Sequence, residues 1–292
     1  MAGLQDIRRR IRSVKGTQQV TKALKMISAV KLRKSQERLI SLRPYAGKMK
    51  DVVHRVVAGV KARPELQLGA GATAFISPRE EKVVRVLVIA SDKGLCGGFN
   101  ANLLKKAATF LEEKGRDAVR VDVVGKRVHD FAKRQGFQII GEHLAVPLAG
   151  FEKVAREVSV DAARQYNDGE IDALYVIYNH FHSAVSQEPT VVKVFPVELP
   201  VQPLDDRVEV PHLLEPDANT ILDSLLPRYV EIELLRSLLE SSASEHGARM
   251  AAMDKSSNNA GEMIAKLTLT MNKIRQASIT NQIIEIVSGA NA

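Results

Sequence analysis

The chain has no tryptophan, aromatic residues make up only 4% of it, and one cysteine, Cys96, occurs among 292 residues. A single thiol excludes an internal disulfide and any metal site built from several cysteines, and it fits a reducing compartment. Scarce aromatics beside plentiful Ala, Leu, Lys, Arg and Glu argue against a β-sandwich and for long helices. No window reaches the ~20 uninterrupted apolar residues that span a bilayer, so the chain is not expected to cross a membrane by itself. The opening MAGLQDIRRRIRSVKG also lacks the apolar core of a secretory signal. Acidic residues are nearly missing from the first 63 positions, which hold 17 Lys/Arg against Asp6, Glu37 and Asp51. That stretch carries a net +14 and the remainder −6, so the overall +8 belongs to one element. A basic, acid-poor start is also the mark of an organellar transit peptide, but the apolar periodicity runs on for tens of residues, as a structural helix requires. A charge block this dense predicts an acidic partner, whether protein, nucleic acid or lipid headgroup.

Three segments are legible. Leu4, Ile7, Ile11 and Val14 recur at spacings of three and four, and an apolar stripe resumes at Val20, Leu24, Ile27 and Val30, with Leu39 and Leu42 beyond. With Pro44 the only proline between residues 3 and 60, a helix of up to ~90 Å is possible, kinked or split near Arg43 and Gly47. Residues 1–62 are therefore read as an N-terminal coiled-coil helix, and 63–80, rich in Gly, Ala and Pro, as a linker. Residues 81–210 then alternate. Strands are expected over 83–90, 119–124, 139–140 and 174–178 and an extended run over 191–199, with helices over 100–114, 127–135 and 151–166. This is the pattern of a Rossmann-like, mostly parallel open sheet covered by helices. Residues 211–292 form a C-terminal coiled-coil helix opening at Asp217, with seams through Ile221, Leu225, Ile232, Leu235 and Leu239 and through Ala260, Ile264, Leu267, Met271 and Ile274. The fold class is thus α/β plus a long antiparallel coiled coil, because two long helices at opposite ends of one chain bury their stripes most simply on each other. Polar and small residues at Gln18, Thr21, Lys25 and Ser28 and over 241–252 predict loose pairing there, or a face turned to something else.

The most enzyme-like feature is the Gly-rich loop Ser91-Asp92-Lys93-Gly94-Leu95-Cys96-Gly97-Gly98-Phe99-Asn100, placed after a strand and before a helix, where phosphate is often held. Its spacing matches neither G-x-G-x-x-G nor G-x-x-x-x-G-K-[ST], so a structural turn is the leading reading and nucleotide binding the alternative. Cys96 has no recognisable pairing with His129, His143, His180 or His182, and reads as a structural thiol. His180 and His182 share a strand face, but two histidines do not complete a metal site. A coiled-coil nucleic-acid binder is a further alternative for the basic helix. Against it, Tyr45 is the only aromatic in the first 63 residues and the basic side chains surround the helix without forming a stripe.

Four stretches, residues 17–36 (TQQVTKALKMISAVKLRKSQ), 91–100 (SDKGLCGGFN), 240–260 (ESSASEHGARMAAMDKSSNNA) and 272–290 (NKIRQASITNQIIEIVSGA), resemble the γ subunit of bacterial F-type ATP synthases, in order and along the whole chain. The resemblance implies a non-catalytic rotor that binds no cofactor or metal of its own, one copy per complex. Its paired helices would form the central stalk inside three α and three β subunits. Its α/β domain would stand with ε on the proton-driven c-ring, at the cytoplasmic face of the bacterial inner membrane, touching the membrane only through the Fo sector. By motif position it places Arg275 and Gln276, with Leu24, Met26, Lys31, Arg33 and Lys34, against β. It places Ile279, Ile283, Ile286 and Val287 at a bearing tip, and His212, Glu215 and Pro216 on the c-ring and ε side. Gln282 departs from the family's usual Glu, while Glu285, Gly289 and Ala290 match. The cysteine-bearing insertion of the chloroplast form is missing, so thiol regulation is not expected.

Overall fold

The computed structural model describes residues 3–61, 79–197 and 218–290. Two helices dominate it: α1 (Leu4–Lys61) at the start of the chain and a 73-residue helix (Ala218–Ala290) at its end. Between them lie β1 (Val84–Ile89), α2 (Phe99–Lys114), β2 (Val119–Val124), α3 (Lys126–Gln135), β3 (Gln138–His143), α4 (Phe151–Asn167), β4 (Ala173–Phe181) and β5 (Gln187–Phe195), so the terminal helix is α5. The expected helices and strands are all present, but the expected linker lies largely outside the described residues, as does the N-cap proposed at Asp217.

The two long helices pair antiparallel. Gln18 Nε2 donates to Ser257 O at 3.2 Å, Lys25 Nζ meets Asp254 at 2.6 Å, and the Ser35 and Ser242 hydroxyls lie 3.0 Å apart. Residue numbers therefore fall along one helix as they rise along the other. Buried and half-buried positions of α1 run through Ile7, Ile11, Val14, Gln18, Thr21, Lys25, Ser28, Leu32, Ser35, Leu39, Leu42, Ala46, Met49, Val53 and Val56. The spacing alternates four and three throughout, the 3.5-residue period of a left-handed coiled coil.

This register corrects the sequence reading at two points. The apolar stripe Val20, Ile27 and Val30 is not seam but exposed outer surface, and Leu24 is only half-buried. The small polar residues are the seam instead, with Ser28 at 2% and Ser35 at 1% exposure. Thr21 Oγ1 donates to Gln18 O and Ser28 Oγ to Leu24 O, so these hydroxyls are satisfied within their own helix and can be buried as small residues, letting the helices approach closely. At Thr21 and Ser28 the pairing is not loose, and over 241–252 the other alternative holds, since that stretch turns a face to the α/β domain. Nor is α1 split: Pro44 lies within one unbroken helix, on its exposed side, while Leu39, Leu42 and Ala46 hold the opposite side.

The sheet runs in the order β3-β2-β1-β4-β5, parallel except for β5. The extended run expected over 191–199 begins earlier, at Gln187, and returns antiparallel on β4 as a hairpin. Pro189, which cannot donate a ladder hydrogen bond, is tolerated because β5 is an edge strand. Helices cover both faces, which is why β1 (VRVLVI) is apolar and buried with little alternation. Val84, Val86 and Val88 pack under α2 and α3, whereas Leu87 and Ile89 pack under α4 and the first half of α5. Between residues 229 and 253 of α5 no residue is exposed, since α1 lies on one side and the α/β domain on the other. The same helix is thus a layer of the domain and half of the rod.

Candidate functional site: the free faces of the rod

Past Ile274, α5 outruns α1, and every residue from 275 to 289 is exposed. Ile279, Ile283, Ile284, Ile286 and Val287 stand in water, Ile286 at 71% exposure. Ile279, Ile283, Ile286 and Val287 follow i, i+4, i+7, i+8 spacing and share one helix face. A contiguous apolar face on an otherwise unaccompanied helix marks an interaction surface. Arg275 and Gln276 open this tip, with a guanidinium free of ion pairs among the described residues and geometrically able to grip a carboxylate with two hydrogen bonds.

The basic positions of α1 do not form one face. Lys31 and Lys34 line a groove of about 410 Å³ with Lys93, Pro147, Phe151 and His246, between the rod and the α/β domain. Arg33 points elsewhere and is held by Glu37, one helical turn on, at 2.8 Å. Met26 is 68% exposed, beside Val20, Ile27 and Val30, so the outer face of α1 carries both charge and unsatisfied apolar surface. His212, Glu215 and Pro216 lie outside the described residues.

The Gly-rich loop closes on itself. Ser91 Oγ reaches Lys93 O (2.6 Å) and Asn100 Oδ1 (2.9 Å), and Asn100 Nδ2 donates to Cys96 Sγ at 3.1 Å. Cys96 is buried among these groups, as expected of a structural thiol. Leu95 and Gly97 both adopt positive φ, and the Lys93 and Gly94 carbonyls are taken by Arg249 of α5. The crevice above the carboxyl ends of β1 and β4, where an open α/β sheet ordinarily receives a ligand, is occupied by α5: Ser241 Oγ donates to Ile89 O and Ser244 Oγ to Asn179 O. Sequence reasoning did not name these partners, although a face turned to something else was one of its two alternatives for 241–252. His180 pairs with Glu240 and His182 with Glu188, and no group of three or more metal-ligating side chains occurs among the described residues.

Arg249 also sets the electrostatics of this region. Burial, with the charges of Arg249 and Lys31, lowers His246 to about 4 and keeps its ring neutral. Burial raises Glu245 despite its ion pair with Arg249 at 2.7 Å.

Comparison with known proteins agrees with this architecture. The ATP synthase family matches residues 3–292. The ATP synthase gamma chain of Solibacter usitatus is 47% identical over 298 aligned positions, covering all of this chain and 99% of that protein. That of Moorella thermoacetica is 42% identical over 292, with the same coverage. A chain of the Euglena gracilis mitochondrial ATP synthase (OSCP/F1/c-ring, rotational state 3) superposes with a TM-score of 0.62 at 17% identity, over 99% of this chain and 94% of that one, which bears on the fold alone. With the family match spanning nearly every residue and these relatives matched end to end, the chain belongs to the ATP synthase gamma chain family.

Proposed function

We propose that this chain is the central-stalk rotor of an F-type ATP synthase, coupling proton flow through a membrane c-ring to ATP synthesis at β-subunit sites by turning an asymmetric shaft. The observation that supports this most directly is the rod itself: anchored at one end on an α/β domain, and ending at the other in a lone helix with exposed apolar residues. The chain contributes no catalytic group and binds no cofactor or metal. Three α and three β subunits surround the rod in this reading, one copy per complex. Arg275, Gln276, Leu24, Met26, Lys31, Arg33 and Lys34 meet β, and Ile279, Ile283, Ile286 and Val287 turn in an apolar bearing. The α/β domain stands on the c-ring beside ε at the cytoplasmic side of the bacterial inner membrane, and His212, Glu215 and Pro216 lie on that side. No helix among the described residues is long and apolar enough to cross that membrane. Because the shaft lacks threefold symmetry, each β site meets a different face, and rotation shifts the affinity of each site for nucleotide in turn.

Reconstitution with α and β tests this reading. One copy of the chain should enter each complex, and ATP hydrolysis should depend on its presence. Tight ATP binding by the purified chain alone, or salt-resistant binding to DNA or RNA, would count against it. Reversing the charge at Lys31, Arg33 and Lys34 together should weaken coupling. The unfolding free energy of the free chain should change by no more than about 1 kcal/mol, most of it from turning the Arg33–Glu37 pair into a repulsion, because all three residues are exposed. Unaltered coupling would refute the basic contact. Placing lysine at both Ile283 and Ile286 should likewise spare the free chain and lower turnover of the assembled complex, read as ATPase per chain incorporated.

A further inference from the structure

Among the described residues, α5 carries the buried and half-buried hydrogen bonds that join the rod to the carbonyls of the sheet and its loop, beside the pair of Glu240 with His180 of β4. Ser241 Oγ donates to Ile89 O at the end of β1 at 3.3 Å, and Ser244 Oγ to Asn179 O of β4 at 2.9 Å. Arg249 gives Nη2 to Lys93 O at 3.1 Å and Nε to Gly94 O at 3.2 Å. At i, i+3 and i+8 these residues occupy one strip of the helix. Gly247 lies beside it, under the turn between β4 and β5. A Cβ there would stand 3.0 Å from Ala184 Cα and 3.4 Å from Ala184 O, so the turn rests on bare helix backbone. A polar contact from α1 to the domain is of another kind: Arg38 donates to Leu148 O at the exposed surface.

Apolar packing resists separation of a helix from a sheet, but it is non-directional and constrains sliding weakly. Hydrogen bonds from fixed helix positions to fixed strand and loop carbonyls set both register and rotation. We propose that Ser241, Ser244 and Arg249, with Gly247 against the hairpin turn, form the joint through which torque passes between the α/β domain and the rod. They are positioning residues for coupling. The load path runs from the sheet into α5 and from α5 through the coiled coil into α1. The proposal rests on the rotor reading above.

The test uses the complete complex in sealed vesicles, with ATP hydrolysis and ATP-driven proton uptake measured on the same preparation and normalised to the chain assembled. Three variants probe the joint separately. Ser241→Ala with Ser244→Ala removes two hydroxyls. Arg249→Lys keeps a cation beside Glu245 but cannot span two carbonyls. Gly247→Val drives a wedge under the turn. Each buried bond lost shifts the balance between engaged and slipping joints by roughly five-fold, so protons moved per ATP should fall below the value of the unaltered complex while hydrolysis per assembled complex persists. A purely structural role would reduce the amount assembled and leave the ratio unchanged, and an unchanged ratio overturns the proposal. Should the arginine or glycine variant fail to assemble, the serine pair decides alone, since it removes only two oxygen atoms. Failure of the unaltered chain to assemble with α and β would instead refute the rotor reading, and the joint with it.

Discussion

Replacing Arg85 with alanine is expected to lower the stability of the chain by about 3–5 kcal/mol, measured as a fall in the denaturant midpoint of the purified protein. Arg85 lies in β1 with its side chain 3% exposed. Its Nε and Nη2 donate to Asp122 of β2 at 2.6 and 3.1 Å, and its Nη1 to Asp161 of α4 at 2.6 Å and Gln165 at 3.0 Å. Alanine would leave Asp122, 1% exposed, as a carboxylate without its counter-ion, and the expected loss reflects that stranded charge more than the worth of the pair. Arg85→Met with Asp122→Leu should therefore be markedly less harmful than Arg85→Ala alone. Equal losses would show that packing, and not charge, dominates the site. Gly141 of β3 belongs to the same arrangement, because a Cβ there would come within 2.2 Å of Asp122 Oδ1. Gly141→Ala should push Asp122 off its partner and shift the midpoint in the same direction.

The α/β domain was legible because both faces of its sheet are covered. The run Val84–Ile89 is then apolar at every position but Arg85, and Val119–Val124 keeps valine at four of six positions, so both stand apart from the helical segments. The rod was legible as a pair of helices but not in register. Counting only apolar residues followed Val20, Ile27 and Val30, whereas the heptad counted from Ile7 passes through Thr21, Ser28 and Ser35. Serine and threonine hydroxyls bonded back to their own helix behave as small buried residues, and composition does not distinguish them from solvated ones. The misplaced stripe is itself informative. Exposed Val20, Met26, Ile27 and Val30 have no counterpart among the described residues, and the rotor reading gives them one in the surrounding subunits.

The candidate site was legible in a different way. Apolar periodicity at 279, 283, 286 and 287 marks a helix face but does not say that α1 stops short of it. That fact depends on the register, and places Leu4 near residue 273 of its partner. Likewise the Gly-rich loop has the position of a ligand site in an open sheet, and only the tertiary structure reveals Arg249 on its carbonyls and Ser241 and Ser244 in the adjoining crevice. A serine-rich stretch of helix is read as solvent-facing on composition; here it is buried because α5 is enclosed by the rod on one side and the domain on the other.

Acid should destabilise the free chain in two overlapping steps. His246 ordinarily titrates at 6.5 and in the folded chain at about 4. As pH falls through that interval the unfolded chain takes up a proton that the folded chain refuses, so stability drops. Burial also opposes ionisation of Glu81, but hydrogen bonds from Lys114, Lys193 and Tyr175 outweigh it and move this carboxyl from 4.5 to about 2. Its contribution is complete above pH 4.5 and is lost as pH falls toward 2, again because the unfolded chain binds more protons. Allowing for partial exposure of both groups, the combined loss between pH 7 and pH 3 should be about 2–3 kcal/mol, traced by denaturant midpoints at several pH values. His246→Gln should remove the upper step and leave the lower one, and Glu81→Gln should do the reverse. The upper step links pH to the proposed joint, since His246 Nδ1 lies 3.2 Å from Arg249 Nη1, whose neighbouring atoms hold the loop carbonyls. Protonating His246 in the folded chain sets a second cation against that guanidinium, so the joint should loosen only as pH falls through about 4, at the lower end of the interval in which the fold weakens. An upper step that survives in His246→Gln would place its origin elsewhere in the chain.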